Sequence, residues 1–265
     1  MTSSDDLLAI AEAAAWAAGR ELLQRYRRNE GVESKRSSVD LVSDADRASE
    51  LRIRSLIATC RPRDEIVGEE YEQSEGTSGI YWLVDPLDGT YNYLQQIPMW
   101  CVSIAACDSD GPIAGVVFDP LHGETFSAAR GRGARLNGAQ LELEDDGTAP
   151  KTLIGSFRRA VEPGHPRAAE LLRFAGGFGS TREVIAGALE LAWTAARRID
   201  VLYHESRMQA WDKAAGILLC SEVGLGVEEY PPASDGRRPR LLVAHPAVIE
   251  GLRDQVAPDV RDQPR

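Results

Sequence analysis

The chain has 265 residues, 43% of them hydrophobic and 27% charged, which fits a folded globular protein and excludes disorder and fibrous structure. Its formal net charge of −11 at pH 7 argues against nucleic acid or a membrane as the main partner, because both attract clustered positive charge. None of the four cysteines has C-x-x-C spacing and no apolar run approaches a membrane span, so we expect a cytoplasmic protein with reduced thiols.

Two helices are predicted near the start of the chain. Apolar residues recur with the helical period over about residues 5–28. A second helix is expected over residues 43–60, where Ser43 and Asp46 have the spacing of a capping box. Between the two helices, residues 30–41 are polar and irregular, a composition that predicts a solvated loop.

An apolar strand is predicted over residues 80–84, and the acidic string Asp-Pro-Leu-Asp-Gly-Thr follows it directly. Asp-Pro and Asp-Gly favour a tight turn at the strand end, so the carboxylates of Asp85 and Asp88 can converge on one point. Two converging anions need a nearby cation, and oxygen ligands suit Mg²⁺ or Ca²⁺ rather than Zn²⁺. The alternative is that both aspartates are ordinary turn-forming residues.

Short apolar runs separated by Gly, Pro and Asp follow the acidic string and predict an antiparallel meander, with strands over residues 99–107, 112–119 and 124–129. Strand and helix patterns then alternate, which indicates an α/β arrangement. We therefore predict an α+β N-terminal domain over residues 1–146 and an α/β C-terminal domain over residues 147–265.

A further helix is expected over residues 211–223, with Gly224 as its C-cap. Asp212 lies in its first turn, where a carboxylate is favoured by the helix dipole and often caps the helix. If this helix start points at Asp85 and Asp88, Asp212 adds a third carboxylate, and the free N–H groups of the first turn favour phosphate.

Two of these strings resemble signatures of the inositol monophosphatase family of Mg²⁺-dependent, lithium-sensitive phosphatases. One is Trp-Leu-Val-Asp-Pro-Leu-Asp-Gly-Thr at residues 82–90, and the other is Trp-Asp-Lys-Ala-Ala-Gly at residues 211–216. The Gly-Glu-Glu string at residues 68–70 also matches. The resemblance implies a layered αβαβα fold of the α/β class, a homodimer, and hydrolysis of a small phosphate monoester.

The resemblance also implies site residues. It assigns two to three Mg²⁺ ions to the oxygen ligands Glu69, Asp85, Leu87 (through its carbonyl), Asp88 and Asp212. Thr90, oriented by Asp46, would help Glu69 to deprotonate the attacking water. A capping role for Asp46 is the alternative, and Glu70 is expected to be a neighbour of the metals and not a ligand.

Substrate contacts are implied for Lys35, Asp88, Gly89, Thr90 and Glu205. Lys35 belongs to the loop that, in the family, folds over the metals, although its composition also fits a solvated loop. Glu205 has the spacing of a family glutamate that binds substrate hydroxyls, and its alternative is an ordinary loop acid. Residues 185–188 read Ile-Ala-Gly-Ala where relatives have Gly-Ser or Gly-Thr, a departure in the segment that touches substrate.

The leading hypothesis is a phosphatase of inositol or a related sugar or polyol phosphate. Fructose 1,6-bisphosphate, histidinol phosphate and 3′-phosphoadenosine 5′-phosphate are alternative substrates for the same chemistry. A catalytically inert binding or regulatory member of the fold is the alternative of another class. A two-metal nuclease is disfavoured because the sequence lacks a basic track.

Overall fold

The computed structural model describes residues 3–28, 31–37, 40–143, 150–156, 168–205, 208–232 and 238–256. Two helices, α1 (Ser4–Arg25) and α2 (Asp44–Cys60), form its first layer. Both begin with the predicted kind of capping box, in which Ser3 pairs with Asp6 and Ser43 with Asp46. No helix in the described ranges has both the length and the apolar composition that a membrane crossing requires.

The segment between these helices differs from the expectation. Strands β1 (Glu33–Ser37) and β2 (Asp40–Val42) pair antiparallel, with Glu33 opposite Val42. The prediction of an irregular loop is therefore wrong for the described part of residues 30–41. The hairpin is held by hydrogen bonds between the backbones of β1 and β2. Its sequence lacks the alternation of apolar and polar residues by which a strand is recognised.

A seven-stranded sheet forms the second layer. Its strands are β3 (Glu65–Gly68), β4 (Tyr81–Asp88), β5 (Cys101–Asp108), β6 (Gly111–Asp119), β7 (Glu124–Ala129), β8 (Ala134–Leu136) and β9 (Ala139–Gln140), in chain order across the sheet. β3 and β4 are parallel, and the remaining pairs are antiparallel, as the meander prediction requires. A short helix, α3 (Thr90–Leu94), follows β4.

The second half of the chain alternates as predicted. Its elements are β10 (Thr152–Ser156), α4 (Ala168–Gly176), β11 (Ser180–Arg182), α5 (Gly187–Ala195), β12 (Val201–Glu205), α6 (Ala210–Val223), β13 (Gly226–Tyr230), β14 (Arg240–Ala244) and α7 (Pro246–Val256). The five strands form one sheet in the order β11-β10-β12-β14-β13, with parallel pairs around β10 and antiparallel pairs around β14.

Three apolar clusters hold together the five layers of helices and sheets. One joins α1 and α2 to the first sheet, the second places α5 and α6 between the two sheets, and the third packs α4 and α7 on the outer face of the second sheet. Because each sheet is covered on both faces, its central strands are apolar throughout and not alternating. The predicted αβαβα class is confirmed. The predicted domain boundary between residues 146 and 147 lies outside the described residues and stays a prediction.

Candidate active site

The first acidic group lies where β3 and β4 end side by side. Gly68 is in register with Val84, and the Glu69 N–H donates to the Val84 carbonyl at 3.2 Å, so Glu69 follows alongside Asp85. The buried carboxylate of Glu50 supports this end from α2, since it accepts the Glu70 N–H at 2.7 Å. No sequence signal had singled out Glu50, which lies at an ordinary position inside a helix.

Asp85 and Asp88 occupy a bulge and not the turn that the sequence predicted. β4 continues through Asp88 and pairs Asp85 with Ser103 and Asp88 with Cys101, so it carries one residue more than its partner between these points. The Leu87 N–H donates to Asp85 Oδ1 at 3.0 Å. The sharp change of direction comes one residue later, at Gly89, whose φ of 89° is a left-handed conformation that glycine adopts without cost.

Asp88 is bound by the start of α5. Its two carboxylate oxygens accept N–H groups from Gly187 at 3.1 Å, Ala188 at 2.8 Å and Leu189 at 3.3 Å. These are N–H groups that a helix start leaves without partners inside the helix. Asp88 therefore caps α5 from a distant strand. Its Oδ2 also accepts the Cys101 thiol at 3.6 Å, whereas Oδ1 accepts one N–H and keeps a lone pair for a cation.

Asp46 and Thr90 are in contact. Thr90 Oγ1 lies 2.9 Å from Asp46 Oδ1 and 3.0 Å from the Leu87 carbonyl oxygen. Asp46 Oδ2 accepts the Ser43 N–H at 2.8 Å and the Ser43 hydroxyl at 2.6 Å. The capping and orienting roles weighed for Asp46 are thus compatible, because each uses a different carboxylate oxygen.

Asp212 reaches the same region from the start of α6. It accepts the Gln209 N–H at 2.7 Å, so it caps the helix as the alternative interpretation expected. The Ser103 hydroxyl donates to the Trp211 carbonyl at 3.2 Å, and Ser103 is the register partner of Asp85. Gly216 sets the position of α6, since a Cβ there would lie 2.4 Å from Leu191 Cβ on α5.

These carboxylates repel one another. Burial raises the pKa of Asp85 well above its ordinary value, and the charges of Glu69, Asp88 and Asp212 raise it further. Burial raises the pKa of Asp88 to about 6 and, together with the Asp88 charge, that of Asp212 to about 7. Burial also raises the pKa of Asp46 to about 6. A bound cation would remove this repulsion.

The donor chemistry fits a hard divalent cation. Every group is a carboxylate or carbonyl oxygen, the ligand type that Mg²⁺ prefers. In the described part of the chain, however, no three Asp, Glu, Cys or His side chains converge closely enough to hold an ion in the positions shown. The four acids lie within reach of one another's charge but do not form a closed ligand shell.

Glu205 and its neighbour His204, both on β12, face opposite sides of their sheet. The Tyr203 hydroxyl donates to Glu205 Oε2 at 3.0 Å, and Tyr203 packs in the outer cluster beneath α4 and α7. Because side chains alternate along a strand, His204 faces the inner layer, where Leu202 also packs. Glu205 therefore shares the outer face of its sheet with Tyr203, and the predicted contact between Glu205 and substrate stays a prediction. The spacing to Asp212 does not reveal which face Glu205 occupies.

His204 forms a buried pair that the sequence did not indicate. Its Nε2 lies 2.5 Å from Glu190 Oε2, on α5. Burial alone would lower the pKa of His204, but the charge of Glu190 raises it above its ordinary value. His204 Nδ1 is buried and has no hydrogen-bond partner in the described structure. The two residues are 14 positions apart on different elements, and neither belongs to a recognisable motif.

The predicted contact of Lys35 with substrate cannot be placed, because the side chain of Lys35, on β1, does not belong to the described part of the chain.

Gly89 packs against the segment before α5, since a Cβ on Gly89 would lie 3.1 Å from Ala186 Cβ. The departure at residues 185–188 therefore borders the acidic bulge.

Known proteins match this chain along almost its whole length. The model of the inositol monophosphatase family matches residues 3–262. The Nus factor SuhB of Haemophilus influenzae is 33% identical over 260 residues, covering 95% of this chain and 96% of that protein. The inositol-1-monophosphatase of Rhizobium meliloti is 36% identical over 223 residues, covering 82% and 83%.

Solved structures agree in fold. The extragenic suppressor protein suhB from Bartonella henselae superposes with a TM-score of 0.84 at 30% identity, and the match covers 95% of this chain and 98% of that one. The resemblance that the two sequence signatures indicated is confirmed. This chain belongs to the inositol monophosphatase family.

Proposed function

We propose that this protein is a Mg²⁺-dependent phosphatase that hydrolyses a phosphate monoester of inositol or a related sugar or polyol. One observation carries the proposal: Glu69, Asp85, Asp88 and Asp212 come from three chain segments, and their charges act on one another. Family membership supports phosphatase chemistry. Fructose 1,6-bisphosphate, histidinol phosphate and 3′-phosphoadenosine 5′-phosphate stay alternative substrates.

Two to three Mg²⁺ ions would be held by oxygen ligands, namely Glu69, Asp85, the Leu87 carbonyl, Asp88 and Asp212. Bound Mg²⁺ supplies the positive charge that phosphoryl transfer needs on the phosphate oxygens. Such help is required because phosphate monoesters are among the slowest compounds to hydrolyse unaided.

The protein's own groups would position water and phosphate. Thr90 Oγ1 donates its hydrogen to Asp46, which leaves the Thr90 lone pairs free to accept a hydrogen bond from the attacking water. Glu69 is the carboxylate assigned to receive the proton of that water. The N–H groups in the first turn of α6, beside Asp212, favour a phosphate anion. A role for Lys35 at the phosphate stays a prediction.

A phosphate-release assay over a panel of monoesters, with Mg²⁺ and with excess chelator, tests the proposal. We expect turnover of at least one polyol phosphate that requires Mg²⁺ and that Zn²⁺ does not restore. Full turnover in excess chelator would exclude the metal mechanism.

A second candidate is a binding role without catalysis. The observation that favours it is the name Nus factor, which states no enzymatic activity, on a relative that is 33% identical. Loss of the acidic residues would support this candidate, but all four are present in this chain. A protein that releases no phosphate from any monoester in Mg²⁺ would favour it. The homodimer, the cytoplasmic location and the absence of a nucleic-acid partner stay predictions.

A further inference from the structure

A buried pair of side chains joins the second sheet to the helix that holds Asp88. His204 lies on β12 and Glu190 in the first turn of α5, with His204 Nε2 2.5 Å from Glu190 Oε2. Both residues are buried, and Glu190 is only 1% exposed. A buried carboxylate is costly unless a partner compensates its charge, so the position of Glu190 depends on His204.

The other carboxylate oxygen of Glu190 fixes the chain that enters α5. Glu190 Oε1 accepts the Val184 N–H at 2.8 Å, and the Val184 carbonyl accepts from Asn92 Nδ2 at 2.6 Å. Asn92 belongs to α3, which begins directly after the acidic string. Hydrogen bonds therefore connect His204, through Glu190, to the segment that follows Asp88.

The first turn of α5 also determines where the carboxylate of Asp88 lies. Three N–H groups of this turn donate to the two oxygens of Asp88. Glu190 is the next residue of the same turn, so a movement of Glu190 would displace the donors that orient Asp88. In the described structure His204 makes no hydrogen bond to Asp88 itself, and its contact with Asp88 is therefore indirect, through α5.

Stability alone does not account for this pair. His204 Nδ1 is buried and has no hydrogen-bond partner among the described residues. A buried polar atom without a partner costs free energy, whereas two apolar side chains of similar size would fill the same space without that cost. The arrangement therefore indicates a role for the contact between His204 and Glu190 beyond packing.

We propose that His204 is a positioning residue for the metal site: through Glu190 it holds the first turn of α5, and thereby the Asp88 carboxylate, in the position that binds Mg²⁺. The inference rests on the proposed function, which assigns Asp88 to the metal. It adds a residue that lies outside the assigned ligands and that no sequence motif indicated.

The position and the charge of His204 have opposite effects on cation binding. Burial and the charge of Asp88 raise the pKa of Asp212, but the charge of His204 lowers it, so His204 acts on these carboxylates as a nearby positive charge. Removing that charge alone would strengthen the binding of a cation. Loss of the position of Asp88 would weaken it. The direction of the change in Mg²⁺ affinity therefore distinguishes the two roles.

The test is His204→Phe, which keeps an aromatic ring but removes both nitrogens. We expect its Kd for Mg²⁺, measured by isothermal titration calorimetry without substrate, to rise about tenfold or more, because Glu190 no longer holds the start of α5. At saturating Mg²⁺ and substrate, kcat for the best monoester should stay within about twofold of wild type, since every assigned ligand is present.

Two polar variants test the contact with Glu190 and replace His204→Phe if that variant does not fold. The amide nitrogen of His204→Gln can take the place of Nε2, so this variant should keep Kd within about twofold of wild type. The shorter His204→Asn matches Nδ1 instead and should bind Mg²⁺ as weakly as His204→Phe.

Thr194→Val is the matched control in α5. It removes a buried hydroxyl that donates to the Glu190 carbonyl at 2.8 Å, but it leaves the Glu190 side chain and its contact with His204 in place. We expect a lower thermal midpoint and an unchanged Kd for Mg²⁺.

The outcomes distinguish this inference from the proposed function. Wild type that does not bind Mg²⁺ overturns both. Wild type that binds Mg²⁺, with an equal or lower Kd in His204→Phe, overturns the inference alone. Equal Kd values in His204→Gln and His204→Asn, or a rise in Thr194→Val as large as that in His204→Phe, also overturn it, because the effect would then not depend on the contact between His204 and Glu190.

Discussion

Asp85 and Asp88 are three residues apart in one bulge, yet the protein surrounds them in opposite ways. Asp85 accepts one backbone N–H, from Leu87, and meets the charges of Glu69, Asp88 and Asp212. Asp88 accepts three backbone N–H groups at the start of α5. Asp85 is held in a repulsive setting that a bound cation or a proton relieves, whereas Asp88 also stabilises a helix. Function and stability can therefore be separated at Asp85 but not at Asp88.

The largest expected effect is on activity at Asp85. Asp85→Asn keeps an oxygen for the Leu87 N–H but removes a charge that would hold Mg²⁺. We expect kcat/KM for the best monoester to fall at least about a hundredfold, roughly 3 kcal/mol of lost transition-state stabilisation. Asp110→Asn, which changes an exposed acid in the turn between β5 and β6 of the same sheet, is the matched control. Asp85→Asn with wild-type turnover would remove Asp85 from the metal site.

Metal binding should stabilise the fold, because a cation relieves the repulsion around Asp85. At about one hundred times its Kd, Mg²⁺ is expected to add about 2.7 kcal/mol, which raises the thermal midpoint by several degrees. Thermal unfolding in Mg²⁺ and in excess chelator measures the shift. In Asp85→Asn the shift should shrink. Equal midpoints for wild type in the two buffers would contradict a metal site of useful affinity.

Alanine variants of Asp85 and Asp88 allow their contributions to folding stability to be compared in the absence of metal. Asp88→Ala leaves the start of α5 without its acceptor, whereas Asp85→Ala loses one N–H contact and relieves charge repulsion. We expect Asp88→Ala to be less stable than Asp85→Ala by about 1–2 kcal/mol in chelator. Urea unfolding with equal m-values provides the measurement. Equal stabilities would show that the hydrogen bonds of Asp88 to α5 contribute little.

The parts of the site that sequence predicted are those built from neighbouring residues. The capping box at Ser43 and Asp46 and the acidic string through Thr90 lie within short windows, so their residue types and spacing carry the information. The order of helices and strands followed from periodicity for the same reason. The resemblance to a family then assigned roles to these local groups that no spacing could supply.

The parts that sequence missed depend on distant contacts. The bulge at Asp85 needs the register of β5, and the pair of Glu190 with His204 needs α5 to pack on β12. The face that Glu205 occupies depends on where β12 pairs with β14. A one-residue change of register turns every side chain to the other face, and residue spacing along the chain does not report it.

The smallest expected effect on activity is at Glu205, on β12 of the second sheet. Its substitution shows whether a buried acid outside the group of Asp85 and Asp88 affects stability without affecting activity. Glu205 is 3% exposed and accepts the hydroxyl of Tyr203, which packs in the outer cluster. Glu205→Gln keeps an oxygen acceptor, so kcat/KM for a polyol phosphate should stay within about twofold of wild type. The thermal midpoint should fall instead, because a buried charged acceptor is lost. Steady-state kinetics with glycerol 2-phosphate, beside thermal unfolding, measures both effects. A tenfold loss of kcat/KM at unchanged stability would return Glu205 to the substrate site and refute the assignment of faces on β12.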